Sequence, residues 1–289
     1  MALVTGASAG DGVPAGNGYL TLTIDSKGTA KAAGILADGA TKPSLSVAAC
    51  SLRKDGGSAN GYSMRVPLFF AKSPCCFGGT LRLYAAADGK VVVDSSDALV
   101  WNNDNRALTY GNETGYRLAP APVGGWYDKV VNLQAYYLGR EFDVDTIAVD
   151  GFPKEALTDG YAYSTVQPRG TEVDLTGDVF SVAKQALVKD GKLNNLAASV
   201  NPCNVQVKLA RATGIVTGTF ALWSETGDGS AQKQITGIKH NGVLLLSRDA
   251  ASPLPDDVLT AGFFTQPVKL PGRTWTFSAP FNILGAESE

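Results

Sequence analysis

Strict alternation of apolar and polar side chains constrains this chain more than any other feature. Residues 19–24 read Tyr-Leu-Thr-Leu-Thr-Ile, and a period of two belongs to an extended strand. Leu20, Leu22 and Ile24 fall on one face, Thr21 and Thr23 on the other. Residues 25–28, Asp-Ser-Lys-Gly, then read as a turn in which Gly28 supplies positive φ without a Cβ clash. The return strand runs from Ala30 to Leu36 and ends at Ala37-Asp38-Gly39, which makes the first unit a hairpin.

The later half repeats the plan. Asn204 to Leu209 alternates, Ala212-Thr213-Gly214 turns, and Ile215 to Trp223 returns. Gln234 to Lys239 is expected to open a further hairpin, turning at Asn241-Gly242 and returning through Val243 to Leu246. Asn-Gly between apolar runs favours the tight two-residue turn. His240, the single histidine, would then be an exposed side chain beside that turn. Further strands are expected at Met64–Phe70, Gly79–Tyr84, Lys90–Val93, Asn132–Leu138, Gly160–Val166, Glu172–Leu175, Gly262–Thr265 and Trp275–Phe281. Val179 to Lys192 fits either a helical face or an extended segment. Gly34, Gly79 and Gly218 head returning strands, where glycine admits a close neighbour or marks a bulge. The expected fold is all-β: two similar barrel-like or sandwich halves of antiparallel hairpins, divided as residues 1–140 and 141–289.

Composition agrees with many short strands. Hydrophobic residues make up 44% of the 289, enough for a core, whereas charged residues are only 18% and glycine reaches 33. The formal net charge of −2, without a basic stripe, argues against nucleic acid as a partner. No apolar run approaches the length of a membrane-spanning helix, and no signal peptide precedes the glycine-rich start, so Met1 reads as a start placed before an excised segment. Cys50, Cys75, Cys76 and Cys203 leave two states open. Buried thiols are one; the other is a bridge from Cys50 to Cys75 or Cys76, since a bond between adjacent cysteines is strained.

Two motif matches fail on context. Residues 5–12, Thr-Gly-Ala-Ser-Ala-Gly-Asp-Gly, fit the glycine spacing of short-chain dehydrogenases, and Gly6-Ala7-Ser8-Ala9-Gly10 fits a nucleophile elbow. Both need a following helix, and residues 11–18 hold three glycines and a proline. No tyrosine has a lysine four positions on, and His240 is the only histidine base on offer. No His/Cys set has metal-ligand spacing. Asn102-Asn103-Asp104-Asn105 and the Asp143/Asp145 pair offer oxygen ligands for calcium, but such clusters are ordinary in turns. The aspartates before Gly39, Gly89, Gly160 and Gly229 likewise suit turns. Neither catalytic residues, a resident metal nor a cofactor is expected.

Aromatics are the better lead. Trp101, Tyr110, Tyr116, Trp126, Tyr127, Tyr136 and Tyr137 crowd into residues 101–137, and aromatic faces stack on sugar rings. The first five are candidates for a glycan platform; the alternative is that they seal loops and sheet ends. Trp223 and Trp275 read as core.

Residues 14–24, Gly28 and residues 33–39 resemble the repeat modules of large surface-exposed bacterial proteins, as do residues 212–220, 242–246 and 261–264. The resemblance spans most of the chain outside roughly residues 143–202, and the Cys75-Cys76 dipeptide departs from it. It implies a non-catalytic structural or adhesive module of a larger extracellular or cell-surface protein, with neighbouring modules or a glycan as partner. A carbohydrate-binding module is the alternative.

Overall fold

The computed structural model describes residues 1–7, 12–47, 50–97, 99–104, 115–128, 141–144, 173–174, 206–225, 232–270 and 273–284. Expectations at 132–138, 160–166 and 179–192, and those on Ser8, Asn105, Tyr110, Asp145 and Cys203, lie outside these residues. Every helix or strand element among the described residues is a β-strand, and they form three antiparallel sheets. Strands are numbered in chain order.

The first sheet runs β11 (Ala121–Val123), β1 (Ala2–Val4), β2 (Asn17–Ile24), β3 (Ala30–Ile35), β4 (Ser44–Val47). The second runs β10 (Tyr116–Leu118), β9 (Leu99–Asn103), β7 (Cys75–Ala85), β6 (Tyr62–Lys72), β5 (Ser51–Lys54), with β8 (Val91–Val93) also on β7. The third runs β13 (Val173–Asp174), β12 (Glu141–Val144), β18 (Arg273–Leu284), β17 (Val258–Leu270), β16 (Gln232–Leu244), β15 (Ile215–Glu225), β14 (Gln206–Ala210). None of the three closes on itself among the described residues, so the barrel form of the expectation is corrected to a sandwich-like one. The sheets bury their apolar faces against one another instead of curling.

The alternation in β2 shows how. Leu20 is fully buried in the core between the first and second sheets, with Leu22 and Ile24 packed against it, together with Val66, Leu68, Phe77, Leu81 and Leu99. Tyr19, on the opposite parity, joins Ala2, Val123, Val243, Leu245 and Ala261 in a core shared with the third sheet. The two faces of the first sheet thus serve two neighbours, and β2 lies against β16, β17 and β18. A single side chain helps to hold the second joint. The Ser278 hydroxyl of β18 reaches the carbonyls of both Ala15 and Ala37.

The expected hairpins β2–β3 and β14–β15 form, with Gly28 and Gly214 at φ 81° and 72° in their turns. Gly34 admits close approach: a Cβ there would sit 1.8 Å from the Tyr19 carbonyl oxygen. The turn expected at Asn241-Gly242 is overturned, because β16 runs straight through it, pairing Asn241 with Phe263 and Gly242 with Gly262. The two glycines face each other for packing. A Cβ on Gly262 would lie 2.1 Å from Cε1 of Phe281, and one on Gly242 would lie 2.9 Å from its Cζ. His240 is accordingly no exposed turn residue. It is 1% exposed, 4.5 Å between ring centroids from Phe281, beside the edge-to-face pair of Phe220 and Phe264.

Candidate functional site

The structure separates the aromatic candidates. Trp101 follows Leu99 on the inward parity of β9 and is 1% exposed; its ring meets Tyr116 edge-on at 5.1 Å and 86°. Tyr116 is itself buried, accepting a hydrogen bond from Asn103 Nδ2 at 3.2 Å and lying 3.5 Å from Asp38 Oδ2. As platform residues these two are corrected, because neither ring face is open to a ligand. Trp126 stands at the other extreme, 69% exposed, and Tyr127 beside it is half-buried with its hydroxyl donating to the Arg211 carbonyl at 2.8 Å.

Around Tyr116 the interior is polar. Asp38, in the turn after β3, is buried; it accepts from Thr41 N–H at 2.7 Å, Ala40 N–H at 3.0 Å and pairs with the Thr41 hydroxyl at 2.6 Å. That hydroxyl also lies 3.7 Å from Cys75 Sγ. Burial raises the Asp38 carboxyl above its ordinary value despite these donors, and burial likewise raises the Tyr116 phenol and the Cys75 thiol. Cys50, Cys75 and Cys76 are free thiols, Cys75 facing the core and Cys76 the outer face of β7.

A second polar cluster lies on the outer face of the second sheet. The Arg82 guanidinium pairs with Asp55 and Asp94, each at 2.7 Å, and stacks over the Tyr84 ring at 4.4 Å. Asp97 accepts from the Arg82 backbone N–H and pairs with Arg65 at 3.4 Å. Asp55 is held below the ordinary carboxylate value by bonds from Ser63 and Arg82. Burial opposes the ionised form of Asp94, but bonds from Ser96 and Arg82 carry it below that value, whereas burial raises Asp97. The cluster extends to the loop after β16. Asp249 accepts from Tyr84 Oη at 2.7 Å, Ser95 N–H at 3.0 Å and Ala251 N–H at 3.3 Å. Burial and that carboxylate push the Tyr84 phenol up to about 12. Each of these aspartates is engaged by a cation or a backbone donor, and the geometry is that of a clasp.

Sequence reading missed this cluster because its members are scattered from Asp55 to Asp249. The short period-two run Leu99-Val100-Trp101-Asn102-Asn103 was the one available signal that Trp101 points inward. Asn102 and Asn103 belong to that strand and not to a calcium loop. Among the described residues no group of three or more His, Cys, Asp or Glu is placed to hold a metal ion. No described helix is long and apolar enough to cross a membrane. Comparison with protein-family models, with curated proteins and with solved structures gave no match.

Proposed function

We propose that this chain is a non-catalytic structural or adhesive module of a larger extracellular bacterial protein. The observation that carries the reading is how the charged residues are used. Asp249 ties Tyr84 and Ser95 to a loop more than 150 positions away in sequence, and the carboxylates of Asp55, Asp94 and Asp97 are spent on Arg82 and Arg65. Carboxylates engaged in this way hold loops to sheets and leave no free acid/base pair within the clasp. A module of this kind resists deformation because distant segments share buried bonds. Pulling the chain between handles in an optical trap tests the reading. Discrete cooperative unfolding events, weakened by Asp249→Ala, are expected; gradual extension at low force would count against it. Turnover of chromogenic glycosides or esters by the purified chain, lost in Asp97→Asn, would overturn it.

A further inference from the structure

Trp126 is a large aromatic ring that is left largely in water on a backbone the fold holds in place. The Trp126 backbone N–H donates to the Val91 carbonyl at 2.7 Å, and the Trp126 backbone carbonyl accepts from the Ser247 hydroxyl at 3.5 Å. Gly125 before it has no room for a side chain, since a Cβ would meet Ser247 Oγ and the Val91 oxygen at 2.3 Å each. Tyr127 after it lies against Gly214, with its hydroxyl on the Arg211 carbonyl. The backbone is therefore pinned on both sides, and the indole remains 69% exposed. A ring carried on a fixed backbone costs less ordering on binding than one on a free segment, which favours a contact made by one face of the ring.

The surroundings decide which ligand class fits. Leu52, Tyr62 and Phe69, other exposed large hydrophobics, lie on β5 and β6, whereas Trp126 has Val91, 37% exposed, beside it. The segments beside it also bring polar groups, with Ser247 bonded to it and Asp128, Arg248 and the exposed Lys90–Asp88 ion pair at 3.2 Å close by in sequence, while Tyr127 is half-buried. A protein interface centres on a cluster of apolar anchors, and a membrane-binding face needs several apolar side chains on one side. One ring with a polar rim matches the apolar face and surrounding hydroxyls of a single sugar ring. We propose that Trp126 is the stacking platform of a carbohydrate-binding subsite, made without Trp101 or Tyr116. This inference stands apart from the structural reading above and survives or fails independently of it.

The whole chain is applied to an array of immobilised bacterial, plant and animal glycans, alongside Trp126→Ala and Trp126→Tyr. Saturable binding to at least one glycan is expected, weakened about tenfold or more by Trp126→Ala and held within about threefold by Trp126→Tyr. Because Trp126 is exposed, Trp126→Ala should melt within about 1 °C of the wild type, which separates lost contact from lost fold. Absence of binding to any glycan, or binding that Trp126→Ala leaves unchanged, overturns the proposal. So does a Trp126-dependent fluorescence blue shift on phosphatidylcholine–phosphatidylglycerol vesicles without glycan binding, which would assign the ring to a lipid surface.

Discussion

Removing the Asp249 carboxylate should release the clasp between the second sheet and the loop after β16. In Asp249→Ala three donors lose their acceptor, of which the N–H of exposed Ala251 is readily taken up by water. Ser95 is buried, so its N–H bears the full penalty, while half-exposed Tyr84 recovers part of its bond from water. At about 1–3 kcal/mol for a stranded buried donor, and less for Tyr84, the sum is about 2–4 kcal/mol. With an unfolding entropy of about 2.1 cal/mol/K per residue over 289 residues, that lowers the melting midpoint by roughly 3–7 °C. Thermal and urea melts of Asp249→Ala, Tyr84→Phe and the double variant measure it, with an expected coupling of about 1–3 kcal/mol. The phenol gives a second readout. Its pKa of about 12 lies above the ordinary 10.0, so the folded form holds the proton more tightly and Tyr84's contribution is lost as pH rises through that interval. Near-ultraviolet titration should show Tyr84 ionising earlier in Asp249→Ala. A variant melting within about 1 °C of the wild type, or strictly additive effects, would refute the clasp.

Trp101→Ala should destabilise the chain by about 3–5 kcal/mol in urea melts, because the indole is buried against Tyr116. Gly262→Ala should cost about 3 kcal/mol or more by the same assay, since its Cβ would overlap the Phe281 ring and the Asn241 carbonyl. For Asp38, whose folded pKa is raised by burial, the native state binds the proton more tightly, so its contribution declines as pH rises above the ordinary carboxylate value. Asp38→Asn lacks that slope, and its stability relative to the wild type should rise as pH climbs above the ordinary carboxylate value. Alkylation followed by peptide mass mapping should label Cys76 before Cys75, the order reversing only if the inward parity of Cys75 is wrong.

The parts legible in the sequence were those whose signal is local. β2 and β3 declared themselves through alternating Leu and Thr around an Asp-Ser-Lys-Gly turn, and β14–β15 did so through Gly214. Asn241-Gly242 carried an equally strong local signal and misled, because the decisive fact was the Phe281 ring on a strand forty residues later. A parity count gave a hint: Ile238, His240, Gly242 and Leu244 continue one face without interruption, as a strand requires and a turn does not. The aromatic crowd was visible, but exposure is set by tertiary packing. Trp101 and Trp126 look alike in the sequence, one on a strand with Leu99 and Asn103 facing inward, the other on a strap after Gly124-Gly125. The clasp had no local signature at all.

The Ser278 hydroxyl has a consequence for how the chain is made. It bonds carbonyls at Ala15 and Ala37, 263 and 241 positions earlier, and Phe263 belongs to the core of the first two sheets. A ribosome delivers the early strands long before β17 and β18 exist, so during synthesis the first sheet waits with Tyr19, Ala2 and Val123 uncovered. Completion of the joint is therefore a late event in the life of each nascent molecule. Conditions that slow elongation should lengthen the time for which this apolar face can meet a wrong neighbour.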